Sequence, residues 1–441
     1  MPRARTLLLS LSVAAILAAG VAVAVATYDP QPDLQTSLTA RKPDAARGAY
    51  LARVGDCTAC HTAAGGKPFA GGLGFPTPVG TIYSTNITPD RETGIGQYTL
   101  KDFIRLMRHG IAADGRNIYP AMPYTAYAKT SDEDLQDVYA YFMEQVAPVA
   151  QVNRSDLVWP LSVRWPLAFW NLAFHDDRRY RPDPAQSAEW NHGAYLIQGF
   201  AHCGTCHTPR GVALQEKDTA GRTNLYLSGS SLDGSSPVNL RGNEADGLGK
   251  WGADDIVSIL KTGRTALSAV HGPMTEVVVN STSGMQDSDL RAMAVYLKSL
   301  SPAPAEGRAS YVPDGATYAM FKEGRAKERG ARMFMDSCSA CHRLDGQGYD
   351  HAFPRLAGNL TVLAPYTDSL LAILLYGNRL PAVQDQPSRL AMPPFSWRYS
   401  DEEIADLATF LRSAWGNGAP AVKASEVARV RKRVGEQQAA R

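Results

Sequence analysis

The six cysteines constrain this 441-residue chain more than any other feature, because they form three copies of one pattern and none lies elsewhere. Each copy reads Cys-x-x-Cys-His, the covalent attachment sequence for a c-type haem. The two thiols add to the porphyrin vinyl groups, and the adjacent histidine is placed to bind the iron. The sequence therefore predicts three covalently bound haem c groups. The attachment residues are Cys57, Cys60, Cys203, Cys206, Cys338 and Cys341, and the proximal iron ligands are His61, His207 and His342.

Three other uses of paired cysteines fit this pattern poorly. A disulfide framework scatters cysteines among loops and does not require a histidine after every second one. A structural zinc site needs four converging ligands, and a histidine adjacent to its cysteine is badly placed to be one of them. A thioredoxin-like redox motif is expected once in a chain, not three times.

The similarity among the three segments extends beyond the cysteines, as expected of an internal repeat. A Gly-Ala pair opens a short amphipathic stretch before each motif. A second apolar stretch after the motif ends in glycine, the expected left-handed helix cap, and a third begins with Ser or Asp capping residues and acids. The predicted second and third helices cover 100–109 and 135–142, 254–262 and 290–300, and 369–376 and 404–411.

This repeat predicts an all-α chain of three tandem haem domains at 43–150, 185–302 and 324–415. Proline-containing linkers occupy 151–184 and 303–323, and 416–441 is a polar basic tail, expected to be a solvated helix or a frayed end. The first linker is rich in tryptophan. Packing between haem domains is the simpler interpretation of those tryptophans, and a membrane-surface or quinone-proximal patch is the alternative.

One methionine occurs at a similar position in every repeat, 11 to 15 residues after the capping glycine. Met122, Met274 and Met392 stand beside proline, which predicts loops able to reach the distal face of each haem. A methionine thioether raises the reduction potential and closes the iron to substrates. Met285 competes with Met274 for the second haem but breaks the register of the repeat. His109, before the capping Gly110, and His271, three residues before Met274, are alternative distal ligands, although a structural or propionate-facing role is the simpler interpretation of both.

Residues 1–28 form a signal peptide or a membrane anchor. Arg3 and Arg5 precede the uncharged run Thr6–Ala26, which is long enough to span a bilayer and also ends in a plausible cleavage site. Both interpretations export the rest of the chain. The balance of 45 Lys+Arg against 43 Asp+Glu gives no basic footprint for nucleic acid.

The chain resembles the triheme cytochrome c subunits of membrane-bound bacterial dehydrogenases of the alcohol, gluconate, fructose, sorbitol and aldehyde type. The resemblance covers residues 48–415 and is most specific in four stretches. These are 55–62 around the first motif, 80–90 (Gly-Thr-Ile-Tyr-Ser-Thr-Asn-Ile-Thr-Pro-Asp), 119–124 (Tyr-Pro-Ala-Met-Pro-Tyr) and 206–211 (Cys-His-Thr-Pro-Arg-Gly).

The resemblance implies an electron carrier at the periplasmic face of the cytoplasmic membrane, with no substrate chemistry of its own. Electrons would arrive from a large catalytic subunit with pyrroloquinoline quinone, flavin or molybdenum, and would leave to ubiquinone. A small third subunit is a further implied partner. Two alternatives remain: a multihaem enzyme of the peroxidase or thiosulfate-oxidising type with one open haem, and a free-standing carrier to a terminal oxidase.

Overall fold

The fold is taken from a computed structural model that describes residues 20, 23–25, 41–77, 80–232, 234–304 and 307–439. The predicted signal or anchor lies almost entirely outside these residues. No helix within the described ranges is both long and apolar enough to cross a membrane. The chain divides into two compact units, one formed by 1–52 and 60–180 and the other by 53–59 and 181–441.

The first unit is built from helices around the first motif. Thr99 caps one helix through a reciprocal capping box with Asp102, and that helix ends at Gly110, whose φ of 63° is left-handed. The helices of this part of the chain are α1 (Ala45–Val54) and α2 (Cys57–His61), whose residues 53–59 count with the second unit, and α3 (Leu100–His109), α4 (Tyr124–Tyr127), α5 (Asp132–Glu144) and α6 (Leu167–Phe174). One antiparallel hairpin joins β1 (Gly74–Thr77) to β2 (Gly80–Tyr83), with Gly74 opposite Tyr83.

The second unit contains two further copies of the same helix order. Helices with the second motif are α7 (Ala188–Gln198), α8 (Gly204–His207), α9 (Ala253–Thr262), α10 (Pro273–Asn280) and α11 (Asp287–Ser299). Helices around and after the third are α12 (Ala316–Lys322), α13 (Arg329–Ser337), α14 (Ser339–His342), α15 (Leu360–Leu363), α16 (Asp368–Tyr376), α17 (Asp401–Ser413) and α18 (Ala424–Ala439). Short 3-10 turns cover Thr282–Gly284 and Ala414–Gly416.

Four very short strands accompany the third copy. β3 (Ser310–Tyr311) pairs with β6 (Asn417–Gly418), and β4 (Asn378–Arg379) pairs with β5 (Ala391–Met392), both antiparallel. Helices therefore dominate, as the repeat predicts, and the second and third predicted helices of every repeat are present. The division into three domains stays a prediction.

A glycine at one helix crossing explains the Gly-Ala pair that precedes each motif. A Cβ atom on Gly48 would lie 1.9 Å from the Asp137 carbonyl oxygen, and one on Gly193 would lie 1.9 Å from that of Ala292. At Gly330 the corresponding distance to Asp406 is 2.3 Å. The first and last helices of each repeat thus touch backbone to backbone, which only glycine permits.

The loop after the second helix of repeat 2 is fastened to repeat 3. Arg264, 1% exposed, donates hydrogen bonds to the carbonyl oxygens of Pro381 (2.9 Å) and Ser388 (2.8 Å). The Asn378 amide donates to the Val270 carbonyl at 3.0 Å. Because a buried guanidinium needs such acceptors, these bonds hold the loop 264–271 firmly in place.

The basic tail departs from the expected solvated or frayed segment. In helix α18, Val427 and Val430 are fully buried, three residues apart on one face. Arg431 donates to the Asp401 carboxylate at 2.7 Å, and Arg433 donates to Asp368 at 2.7 Å. Two valines form an apolar stripe that is too short to be recognised in the sequence among so many charged residues. Their burial in the core of repeat 3 nevertheless makes this helix part of that repeat.

Replacement of Gly193 by alanine tests the helix crossing. The added Cβ has no room beside Ala292, so we expect a loss of about 2–3 kcal/mol in the free energy of unfolding. Gly435→Ala is the matched control, because Gly435 lies in a helix with no atom within 4 Å of its Cβ. Urea unfolding of the two haem-loaded variants measures the difference, and equal stabilities would refute the crossing.

Arg264→Ala tests the contact between repeats 2 and 3. It removes the donors from two buried carbonyl groups, and we expect the amides of 264–271 to exchange with solvent about a hundredfold faster. Hydrogen–deuterium exchange is the measurement. Arg291→Ala, which removes an ion pair between two exposed side chains, should leave the exchange of that loop unchanged.

Candidate haem-binding sites

Each motif folds as a single short helical turn. These turns are α2, α8 and α14, which end at His61, His207 and His342. One turn of helix places residues three and four apart on the same face, so the two cysteines and the histidine of a motif are presented together. This is the arrangement that attachment of one porphyrin at two thiols and one iron requires.

The histidine of every motif is held by the same hydrogen bond. The Nδ1 atom of His61 lies 2.7 Å from the Thr85 carbonyl oxygen, and that of His207 lies 2.7 Å from the Val238 carbonyl oxygen. For His342 the acceptor is the Pro354 carbonyl oxygen at 2.8 Å. A histidine that donates from Nδ1 to a carbonyl keeps Nε2 available for a metal and fixes the ring orientation.

The protonation state of these rings also suits an iron ligand. Burial lowers the pKa of His61, His207 and His342, an effect that the carbonyl bond opposes only in part. A neutral imidazole is the form that binds a metal. The donor set of each turn therefore fits haem c: two thiols for the vinyl groups and one neutral, oriented imidazole for the iron.

The cysteines do not resemble those of a thiol redox enzyme. Burial raises the pKa of the Cys203 and Cys338 thiols to about 12, and the neighbouring cysteine of each motif adds to the effect. A thioredoxin-like motif needs the opposite shift, because the thiolate is its nucleophile. Moreover, no disulfide joins any of the six cysteines, all of which lie within the described ranges.

The three candidate distal methionines lie on elements separate from the motif turns, and each is partly buried. Met122 stands in a turn before α4, and Met392 in strand β5, whereas Met274 lies in the first turn of α10. The prediction of a loop therefore fails for Met274, because Pro273 occupies a first-turn position where proline favours helix. Met392 pairs with Asn378 beside the capping Gly377.

In all three repeats this segment returns to the capping glycine, and in repeat 2, where the Val270 N–H donates to the Gly263 carbonyl at 2.9 Å, a residue of repeat 3 also lies against that glycine. A Cβ on Gly110 would meet the Tyr124 ring at 2.6 Å, and one on Gly377 would meet the Met392 carbonyl oxygen at 2.4 Å. In repeat 2 the nearest neighbour of Gly263 is Pro381 of repeat 3, at 2.4 Å. The competing Met285 is 1% exposed, as expected of core packing.

Sequence reasoning missed the carbonyl acceptors of the motif histidines and the contact that His271, an alternative distal ligand in the sequence, makes with repeat 3. The carbonyl groups of Thr85, Val238 and Pro354 act through the backbone, so residue type gives no signal. In repeat 2, His271 lies three residues before Met274, and its Nε2 is 3.1 Å from the Thr361 hydroxyl of repeat 3. Burial lowers the pKa of His271 to about 4. The sequence contains no periodicity that pairs these two positions.

Helices that cross on glycine, with a haem-attachment turn between them, define a cytochrome c. The family model for cytochrome c matches residues 45–145 and 327–415. The chain is 48% identical over 393 residues to the gluconate 2-dehydrogenase cytochrome c subunit of Pantoea cypripedii, covering 88% of this chain and 89% of that protein.

Two further relatives are also cytochrome subunits of dehydrogenases. The cytochrome c subunit of the quinone-dependent alcohol dehydrogenase of Gluconobacter oxydans is 47% identical, over 87% of this chain and 81% of that subunit. The fructose dehydrogenase cytochrome subunit of Gluconobacter japonicus is 37% identical, over 91% and 85%. The chain belongs to this family of dehydrogenase cytochrome c subunits, and it transfers electrons without being catalytic itself.

Loss of one motif tests the attachment sites. We expect Cys203→Ala/Cys206→Ala to lower the covalent haem content by one group per chain, because thioether bonds form only at these thiols. A pyridine haemochrome assay on the denatured chain gives the count. Ser283→Ala, at an exposed position in the same repeat, should keep the full haem content. An unchanged count in the double variant would show that this motif holds no haem.

Proposed function

We propose that this chain is the triheme electron-transfer subunit of a membrane-bound periplasmic dehydrogenase complex and passes electrons from a catalytic subunit to ubiquinone. The observation that carries the haem count is a hydrogen bond that recurs in all three repeats. In each one the motif histidine bonds to a backbone carbonyl oxygen at 2.7 to 2.8 Å. The middle motif shares this geometry although the family model does not extend over it. Three equivalent turns favour three haems.

The residues of each repeat have separate roles in this proposal. His61, His207 and His342 would bind iron through Nε2, and Met122, Met274 and Met392 would close the opposite side. A haem held by His and Met exchanges single electrons between ferric and ferrous iron. With both axial positions filled by the chain, no open iron is left for a substrate. Burial and hydrogen bonds around each site would set its potential.

Such a subunit needs a source of electrons outside itself. The relatives belong to gluconate, alcohol and fructose dehydrogenases, which supports a large catalytic subunit as the partner. Its cofactor is of the pyrroloquinoline quinone, flavin or molybdenum type, and a small third subunit completes the proposed complex. Substrate oxidation by two electrons in that partner would be converted into single-electron steps here.

The predicted location follows from the N-terminal sequence. The run Thr6–Ala26 carries no charge and follows two arginines, which supports export with the haem repeats on the periplasmic side. Ubiquinone resides in the cytoplasmic membrane, so a subunit at that surface is suitably placed to reduce it.

Purification of the intact complex from membranes tests the whole proposal. We expect a large catalytic subunit in equal amount, three haems per chain, haem reduction on addition of the dehydrogenase substrate, and ubiquinone reduction afterwards. A chain that purifies alone, reacts with a terminal oxidase and has no dehydrogenase partner would refute the proposal. A high-spin ferric signal would instead indicate one open haem.

Met122→Leu tests the distal ligand of the first haem. We expect the near-infrared charge-transfer band from methionine to ferric iron to lose one of three equivalents, and one potential to fall by on the order of 0.1 V. The buried Met107, 5% exposed in helix α3, provides the matched control, because Met107→Leu changes only packing. Redox titration with absorption spectra measures both quantities, and a full band in Met122→Leu would contradict the assignment.

The same measurement on Met274→Leu and Met285→Leu decides the ligand of the second haem. We expect the band to decrease in Met274→Leu alone, since Met285 is buried among packing residues. A decrease confined to Met285→Leu would reverse the assignment.

A further inference from the structure

An exposed apolar segment follows the first repeat. Residues 157–174, here named the apolar strap, contain one charged residue, Arg164, in 18 positions. Trp159 is 81% exposed, Leu172 72%, and Trp165 55%. Solvent contact of so many large apolar side chains within one short segment marks an interaction surface.

The helix within the apolar strap lacks the packing that such a helix ordinarily has. Seven of the eight residues of α6, Leu167–Phe174, are apolar, yet the helix has no buried residue. An amphipathic or apolar helix is normally stabilised by burial of its apolar face. Trp170 packs against the Tyr124 ring, but Leu172, Ala173 and Phe174 at the end of the helix stay exposed within the part of the chain that the structure describes.

The polar groups of the apolar strap bind residues 117–124 of the first unit, on the side away from the exposed apolar side chains. Asn171 accepts a hydrogen bond from the Tyr124 hydroxyl at 2.6 Å and donates to Asn117 at 3.2 Å. The Tyr119 hydroxyl donates to the Leu161 carbonyl, and the Arg164 guanidinium lies 3.9 Å above the Tyr119 ring. The outward face is therefore left with apolar side chains in fixed positions.

We propose that the apolar strap inserts into the surface of a phospholipid bilayer. The proposal rests on the proposed function, because it specifies how the subunit meets the membrane. The single charge of the strap is withdrawn over a tyrosine, whereas two exposed tryptophans face outward, and tryptophan is enriched at the headgroup level of membranes.

The N-terminal sequence favours lipid, rather than a protein partner, as what covers the exposed face of the apolar strap. Arg41 is bound to the buried Asp137 carboxylate at 2.7 and 2.8 Å, so the described chain enters the same unit that carries the apolar strap. Only 14 residues separate Arg41 from the uncharged run that ends at Ala26. They reach at most about 50 Å, which keeps this unit close to any bilayer that the run occupies.

Spin labels at exposed positions test the proposal on the intact complex. Leu172→Cys and Trp159→Cys receive a nitroxide label, and Lys101→Cys, exposed in the same unit, is the control. The complex is reconstituted in vesicles of phosphatidylcholine and phosphatidylglycerol. Power-saturation spectra then compare access of oxygen, which concentrates in lipid, with access of a water-soluble nickel chelate.

We expect the two strap labels to be open to oxygen and closed to the nickel chelate, with a ratio about tenfold above that of the control. Strap labels as open to nickel as the control would overturn the proposal, since water would cover them. Labels closed to both reagents would also overturn it, since protein would cover them. Circular dichroism and haem absorption spectra that match those of the unlabelled complex confirm that each labelled variant is folded.

Electron flow in the same samples separates this proposal from the proposed function. Haem reduction and ubiquinol formation that proceed while the labels stay in water would refute the lipid contact alone. Labels in lipid without any haem reduction would refute the dehydrogenase role alone.

Discussion

The orientation of three imidazole rings rests on hydrogen bonds to backbone carbonyls, and the rest of each repeat is arranged around this constraint. A carbonyl cannot be replaced by mutation, and it accepts at Nδ1 whatever side chain its residue carries. The loops that supply it differ in length, since Thr85 lies 24 residues after His61 and Pro354 only 12 after His342. A repeat can therefore change much of its sequence and keep the same orientation of the ring, with Nε2 available for a metal.

The sequence predicts the parts of the fold that depend on residue type. Cys-x-x-Cys-His, the left-handed caps at Gly110 and Gly263, and the Ser400 capping box are chemical signals, and the structure confirms the helices they bound. A helix in the tail is among the expectations, but its burial against repeat 3 is not, because two buried valines among arginines give a weak pattern. The contacts of Arg264 and of His271 with Thr361 depend on tertiary packing, for which a single sequence holds no periodic signal.

Repeat 2 differs from its two neighbours in the segment that leads to Met274. Its capping glycine touches Pro381, and the segment leading to Met274 is bonded to Asn359, Thr361 and Asn378 of repeat 3. The segment also returns to its own glycine, since the Val270 N–H donates to the Gly263 carbonyl at 2.9 Å, so both repeats fix its position. Changes in repeat 3 can thus alter the surroundings of Met274 without touching repeat 2, and the two repeats act as one unit in packing as well as in chain order.

Helix α18 determines the order in which repeats 2 and 3 can complete their packing. Arg431 and Arg433 bind the acids that begin helices α17 and α16, so the core of repeat 3 closes only after these late residues are available. Repeat 3 in turn supports the loop 264–271 of repeat 2. A chain synthesised from its N-terminus folds its early parts first. The first repeat can therefore fold early, whereas the loop 264–271 of the second is held in its final place only once nearly the whole polypeptide is available.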